Sequence, residues 1–269
     1  MNKDRKILVV VQARSNSSRL KDKIFLPLCG KELLVRQLER IEGSCFKPEI
    51  VVATTCRKED DKVIRLCEKE GKKYFRGSEN DLLDRHFQAG VLFGADVVVK
   101  IPSDCPLIDT NIIDKVLSHY IKNRNKYDYV SNLHPPTYPD GNDIEVMSIE
   151  CLERAWETAD EEFQREHTTP FIWDNPEMFR IGNVKWETGE DLSMTHRYTI
   201  DYNEDYKFIK AVYEALYPIN PRFSLKDILD LLKKKPELMV INRKYNGVNW
   251  YRKHLQSLKT ISGEQTRII

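Results

Sequence analysis

Short apolar runs alternate with amphipathic stretches through the first hundred residues of the chain. Buried strands are predicted over residues 7–11, 50–54, 73–76 and 95–101, because each run is short, apolar or aromatic, and bounded by turn residues. The segments between these runs carry apolar residues at helical spacing. Strands that alternate with helices are typical of a doubly wound, mostly parallel α/β sheet of the Rossmann-like kind.

The regular alternation stops after a fifth predicted strand at residues 127–131. Residues 132–196 are rich in turn signals and are predicted to form an inserted α+β lobe that covers one edge of the sheet. A late strand is predicted at residues 197–201, and residues 224–269 are predicted to be a C-terminal helical tail. The whole chain, 1–269, is therefore expected to be a single domain with this one insertion.

The overall charge balance excludes several classes of protein. Lys and Arg number 43 against 42 Asp and Glu, which leaves a net charge of +1 and predicts no nucleic-acid or membrane-surface partner. No apolar run approaches the roughly 18 residues of a transmembrane helix, and no secretion signal is recognisable at the start. Six scattered cysteines read as reduced thiols, so a cytoplasmic location is expected.

Charged side chains follow three of the predicted strands. Arg14, Arg19 and Lys23 lie in the polar loop after the first strand. Asp104 follows the fourth strand, and Asp201 ends the late one. Because the carboxyl ends of parallel strands meet at one edge of a sheet, these groups are expected to face one crevice, where carboxylates suit Mg²⁺ and cations suit phosphate oxygens. Taken singly, each cation is equally well a solvated loop charge and each aspartate a helix cap.

Six blocks of sequence carry a more specific signal. They are, in chain order, Val11-Gln12-Ala13-Arg14-x-x-Ser17-x-Arg19-Leu20-x-x-Lys23, Gly77-x-x-x-Asp81-Leu82-Leu83-x-Arg85, Ser103-Asp104-Cys105-Pro106-Leu107-Ile108-Asp109, Tyr138-Pro139-Asp140-Gly141-x-Asp143-x-Glu145-Val146, Arg165-Glu166-His167-x-Thr169-Pro170 and Arg197-Tyr198-Thr199-Ile200-Asp201. Together these blocks resemble the cytidylyltransferase family that includes the CMP-Kdo and CMP-sialic acid synthetases. They are most similar to its branch named after spore coat polysaccharide biosynthesis protein F.

The resemblance implies a nucleotide-diphospho-sugar transferase fold and an enzyme that transfers CMP from CTP to an acceptor, releases pyrophosphate and uses Mg²⁺. It also implies a homodimer in contact through residues 132–196, and a role in surface polysaccharide or glycoconjugate biosynthesis. By match to the family motifs, Arg14, Lys23 and Asp104 would be catalytic, and Asp104 and Asp201 would hold the metal. The nucleotide would be bound through Gln12, Ala13, Arg14, Ser15, Arg19, Lys23 and Ser103.

By the same resemblance, Asp143, Glu145, Arg165 and His167 would lie on the acceptor side. Arg165 would pair with a carboxylate or phosphate of the acceptor, and His167 would donate a hydrogen bond or act as a base. From the residues alone, Arg165 and Glu166 are equally well a surface ion pair, and His167 a helix-packing residue. Acidic sugars are the expected acceptors; a sugar phosphate, a phosphonate or another small acid stays open.

Two rival interpretations also stay open. A glycosyltransferase of the same fold would need an Asp-x-Asp-like metal motif after the fourth strand, but Asp104 is followed by Cys105 and Pro106. A non-catalytic nucleotide-binding subunit would not require the full set of cations and both aspartates. The first loop departs from the family pattern at Lys21 and Asp22, where Pro and Gly are usual.

Overall fold

The structure, a computed structural model, describes residues 5–15 and 19–269; Ser17 of the first sequence block lies outside the described residues. The strands are β1 (Ile7–Gln12), β2 (Pro27–Leu28), β3 (Lys31–Glu32), β4 (Glu49–Thr55), β5 (Lys73–Gly77), β6 (Val97–Pro102), β7 (Tyr129–Ser131), β8 (Glu145–Ser148) and β9 (Ile181–Asn183). The helices are α1 (Leu33–Glu42), α2 (Asp61–Lys69), α3 (Leu82–Leu92), α4 (Thr110–Asn123), α5 (Ile149–Thr158), α6 (Glu162–His167), α7 (Pro170–Trp173), α8 (Asn203–Leu216) and α9 (Leu225–Lys234). Short 3-10 turns include Lys23–Phe25 and Trp250–Lys253.

Seven of these strands form one sheet in the order β5-β4-β1-β6-β8-β7-β9. β5, β4, β1 and β6 are mutually parallel, which confirms the prediction of a mostly parallel α/β sheet. β8 differs, because it runs antiparallel to both β6 and β7. The reason is its connection: a loop without a helix joins β7 to β8, whereas parallel neighbours need a longer crossover.

The core has two layers, one on each face of the sheet. Alternate side chains of β1 point to opposite faces, so Val9 and Val11 pack in one layer with α1, α4, α8 and α9. Leu8 and Val10 pack in the other layer with α3, α5, α6 and α7. Burial on both faces explains why the central strands read as continuous apolar runs. In the part of the chain that the structure describes, no helix is long and apolar enough to cross a membrane.

The prediction of a late strand at residues 197–201 is wrong. The segment makes one isolated bridge, between Arg197 and Asp140, and enters no ladder of the described sheets. It is held instead by single backbone hydrogen bonds, from the Ile200 N–H to the Asp104 carbonyl (2.9 Å) and from the Tyr198 N–H to the Asp140 carbonyl (2.7 Å). These bonds still bring residue 201 to the loop that follows β6.

Residues 132–196, set apart from the sequence as a lobe, contribute strands to the main sheet. β8 pairs directly with β6, and β9 forms the sheet edge beside β7. α5 and α6 from the same segment pack against α3. The 224–269 tail begins with α9 and continues as a series of short 3-10 turns.

Candidate active site

A cavity of about 420 Å³ opens at the carboxyl ends of β1 and β6. The parallel register sets Gln12, the last residue of β1, opposite Pro102, the last residue of β6. The two loops that follow therefore leave the sheet side by side, and Arg14 and Asp104 both line the cavity. Open α/β sheets bind ligands at such an edge.

Lys23 lies between the two predicted metal ligands. Its Nζ atom is 2.9 Å from Asp104 Oδ2 and 3.0 Å from Asp201 Oδ1, and it donates to the Ile200 carbonyl at 2.7 Å. Burial by itself lowers the pKa of Lys23, but the two carboxylates outweigh it and raise that pKa. Lys23 is therefore a buried ammonium, and the two carboxylates converge on a single point.

Asp201 is surrounded by cations. Besides Lys23, Arg19 contacts Asp201 Oδ1 at 2.6 Å and Arg197 contacts its Oδ2 at 3.0 Å. Burial alone raises the pKa of Asp201, but these three cations hold it well below its usual range. Arg197 is itself buried and extends to Asp140 (3.1 Å) and Asp205 (3.0 Å). The three cationic side chains thus keep Asp201 ionised and hold its carboxylate in place, although its segment is not a strand.

The first loop splits into residues that face the cavity and one that does not. Gln12, Ala13 and Arg14 line the cavity, as does Ser103 from the loop after β6. Arg14 forms no ion pair with any described residue, so its charge is available to a ligand. Ser15 is outside the cavity wall: its N–H donates to Asp60 Oδ1 at 2.6 Å and its hydroxyl to the Glu59 carbonyl. The position of Ser15 therefore does not support the predicted contact between Ser15 and the nucleotide.

Asp22, one of the two departures in the first loop, lies where the backbone conformation favours glycine. Asp22 has φ of 59°, in the left-handed region that favours glycine and that aspartate tolerates. Its carboxylate pairs with Lys62 of α2, on the side away from the cavity. The added charge is thus neutralised locally and does not enter the site.

Three carboxylates of the fourth sequence block line the cavity, and two of them have cationic partners. Glu145 is buried and paired with Lys100, its register partner in β6. Burial alone raises the pKa of Glu145, but Lys100 lowers it below the usual value. Asp140 is held by Arg197, whereas Asp143 has no cationic partner in the described chain and accepts from the Gly141 N–H at 3.2 Å. Burial raises the pKa of Asp143 to about 6.

Arg165 and His167 occupy different places. Arg165 does not line the cavity: its Nε contacts Asp81 Oδ2 at 2.6 Å, and it donates to the carbonyls of Trp156 and Ala159. The predicted pairing of Arg165 with the acceptor is therefore not supported. His167 does line the cavity, where burial lowers its pKa to about 3 and keeps the imidazole neutral.

Sequence reasoning missed many residues of the cavity wall, among them three cations and a segment near the end of the chain. The first cation is Lys100, which is set beside Glu145 by the pairing of β6 with β8, a register that the sequence does not specify. Arg85 and Arg197 also line the cavity. They belong to the second and sixth sequence blocks, but no function was predicted for either. Arg85 is buried and donates to the carbonyls of Ser78 and Glu79, and burial lowers its pKa to about 10. Residues 247–254, near the end of the chain, also line the cavity.

Two groups of side chains offer metal ligands. Asp104 and Asp201 supply the hard oxygen donors that Mg²⁺ prefers, and their shared contact with one ammonium shows that both reach one cation. Glu166, His167 and His254 lie within 4.8 Å of one another at the cavity rim, but their nitrogen donors suit zinc rather than magnesium. The residues present therefore fit Mg²⁺ at the carboxylate pair.

A seven-stranded α/β sheet with cations and carboxylates at one edge defines a nucleotidyltransferase class of fold and site. Residues 8–229 match the model of the cytidylyltransferase family, and the chain belongs to that family. Spore coat polysaccharide biosynthesis protein SpsF of Bacillus subtilis is 30% identical over 237 residues, covering 86% of this chain and 95% of that protein.

Solved structures agree with this assignment. A cytidylyltransferase from Leptospira borgpetersenii superposes with a TM-score of 0.82 at 33% identity, covering 87% of this chain and 97% of that one. A CMP:2-keto-3-deoxy-manno-octonic acid synthetase solved with CTP gives a TM-score of 0.59 at 16% identity, covering 78% of this chain and 99% of that one. The second likeness bears on the fold alone.

Proposed function

We propose that the protein transfers CMP from CTP to a small anionic acceptor, with Mg²⁺ and with release of pyrophosphate. The observation that carries this proposal is the convergence of Asp104 and Asp201 on Lys23, beside the cavity-lining Arg14 and Arg19. Such a set combines oxygen ligands for a metal with cations for a polyphosphate.

Different residues of the chain bind the triphosphate and hold the metal. Arg14 and Arg19 take the phosphate oxygens and hold the triphosphate in line with the acceptor. An acceptor oxygen bonds to the α-phosphorus while the bond from that phosphorus to the bridging oxygen breaks, and pyrophosphate leaves with the bonding pair. Mg²⁺, held by Asp104 and Asp201 when bound, supplies charge stabilisation to the phosphate oxygens.

The acceptor's proton needs a base on the other side of the cavity. Asp143 lines the cavity without a cationic partner, and its pKa of about 6 leaves it mostly ionised at neutral pH. Glu145 is already committed to Lys100, and Asp140 to Arg197. Asp143 is therefore the carboxylate of this group best placed to accept the proton.

The name of SpsF supports an acceptor that is a precursor of a surface polysaccharide or glycoconjugate. A homodimer and a cytoplasmic location remain predictions from the sequence. A carboxylate or phosphate on such a precursor would be attracted to the cationic side chains that line the cavity.

Pyrophosphate release tests the proposal. Purified protein with CTP, MgCl₂ and a panel of acidic sugars, sugar phosphates and phosphonates should liberate pyrophosphate with at least one acceptor. Asp104→Asn should lower kcat by about 100-fold or more, since it removes a charged ligand at the reacting phosphate. Asp230→Asn is the matched control, because Asp230 forms an exposed pair with Lys226 on α9.

The same assay separates the rival functions. A glycosyltransferase would consume a nucleotide sugar and release no pyrophosphate, and a binding subunit would take up CTP without turnover. Full activity in Asp104→Asn would show that the metal assignment is wrong.

A further inference from the structure

The wall of the cavity includes residues beyond the stretch that matches the family model. The family match ends at residue 229, yet every residue from 247 to 254 lines the cavity. We call residues 247–254 the tail segment. It follows α9 and includes the 3-10 turn Trp250–Lys253.

The tail segment is tied to the acceptor side of the cavity by two kinds of contact. The Trp250 ring stacks on His167, with ring centroids 3.8 Å apart and planes inclined by 16°. The Val248 carbonyl accepts a hydrogen bond from Arg197 at 2.7 Å, and Arg197 also holds Asp140 and Asp201. The segment is thus coupled to the same arginine that orders the carboxylates.

The aromatic rings at this wall form a connected group. Trp173 lies 6.3 Å from Trp250 and 6.2 Å from Tyr251 between ring centroids, and it stacks on His134 at 4.3 Å. Aromatic faces bind flat apolar surfaces such as the C–H face of a sugar ring. An open-chain acid presents no such face.

The tail segment brings cationic side chains to a cavity that carboxylates also line. Arg252 and Lys253 line the cavity, and Lys253 is exposed and has no ion pair with any described residue. Asp140 and Asp143 also line the cavity. An anionic substituent would therefore be attracted to Lys253 and repelled by these carboxylates, which orients the acceptor.

We infer that the tail segment selects the acceptor: Trp250 carries the ring of a cyclic acceptor, and Lys253 binds its anionic group. This inference rests on the proposed function and concerns the acceptor half of the site alone. The nucleotide is held by the loops after β1 and β6, so changes in the tail segment should leave CTP binding in place.

Two variants test the inference, with the acid that gives the highest rate in the pyrophosphate panel and with gluconate as an open-chain acid. Trp250→Ala and Lys253→Ala should each raise KM for the cyclic acid about 10-fold, while KM for CTP stays within about twofold. Trp250→Phe keeps an aromatic face and should restore most of the affinity. Lys244→Ala is the control, because Lys244 is an exposed tail lysine outside the cavity that pairs with Glu204.

The outcomes are distinguishable. If the wild-type protein releases no pyrophosphate with any acceptor, the proposed function fails and the inference fails with it. If wild-type turnover is present but both alanine variants keep the wild-type KM for the acceptor, or raise KM for CTP equally, the inference alone is overturned. Preference of the wild-type protein for gluconate over every cyclic acid would also overturn it. Lys253 is exposed, so its variant keeps the test valid if Trp250→Ala does not fold.

Discussion

The position of Lys23 leads to a prediction about stability and metal binding in the absence of nucleotide. The Lys23 ammonium neutralises Asp104 and Asp201 at once, at 2.9 and 3.0 Å. Lys23→Met keeps the aliphatic stem and removes the charge, so the two carboxylates then face each other without the cation between them.

The size of the effect follows from what each carboxylate retains. Removing one partner of a buried ion pair costs about 3–5 kcal/mol. Asp201 keeps Arg19 and Arg197, and the Asp104 side chain is 28% exposed, so water screens part of its charge. We therefore expect the free energy of unfolding of Lys23→Met to fall by about 3 kcal/mol, the lower end of that range.

Mg²⁺ should reverse part of this loss, because the variant has no ammonium to compete for the same carboxylate oxygens. At ten times its Kd, the ion adds about 1.4 kcal/mol to the free energy of unfolding. Urea denaturation followed by tryptophan fluorescence, with and without MgCl₂ and without nucleotide, measures both quantities. Wild-type protein should gain less from Mg²⁺ than the variant does.

Lys62→Met is the matched control. Lys62 pairs with Asp22 in the same part of the chain, but the pair lies at the surface and outside the cavity. Its loss should cost at most about 1 kcal/mol and should not change the response to Mg²⁺. Equal stabilisation of wild-type protein and Lys23→Met by Mg²⁺ would refute the view that the ammonium and the metal share one position.

Two further predictions concern the fold around the site. Gly141→Ala should lower the free energy of unfolding by about 3 kcal/mol, because Gly141 has φ of 101° and an added Cβ would lie 2.7 Å from the Thr199 nitrogen; a variant as stable as the wild type in urea would contradict this. Burial lowers the pKa of His86 to about 3, from an ordinary value near 6.5. The unfolded chain therefore binds a proton that the folded chain does not, and stability that is complete above pH 6.5 is lost as the pH falls toward 3. His86→Gln should reduce the decline between pH 6 and 4 by about 1.4 kcal/mol per pH unit, and an unchanged slope would show that His86 is not buried as a neutral ring.

The cluster of cations and carboxylates proposed to bind the nucleotide could be predicted, because its position depends on strand ends. Arg14 and Asp104 each follow a parallel strand by two residues, and the register of those strands alone places them together. Asp201 was predicted to lie at this edge of the sheet because it would end a strand, and it does lie there. Its segment is not a strand, but the hydrogen bond from Ile200 to the Asp104 backbone brings Asp201 to the same edge.

The side chains proposed to contact the acceptor could not be predicted in the same way, because their positions depend on long-range contacts. Arg165 is two residues from His167 in a recognised block, yet its orientation on α6 is set by Asp81 of a distant block. Ser15 turns inward because Asp60 accepts its N–H, and nothing near Ser15 in the sequence indicates this. The sequence did not predict that the tail segment lines the cavity. Its aromatic rings contact residues such as His167 that are far away in the sequence.

Under the proposed function, the charges around Asp201 predict that binding of the metal and binding of the nucleotide depend on each other. Arg19 and Lys23, two of the cations best placed for phosphate oxygens, are already engaged by carboxylates. A triphosphate that draws them away would leave Asp104 and Asp201 as uncompensated charges beside its own, which is unfavourable at a partly buried site. A divalent cation that enters with the nucleotide removes this conflict, because it neutralises the carboxylates that Lys23 leaves. The internal ion pairs of the free protein therefore favour binding of the metal–nucleotide complex over binding of the nucleotide alone.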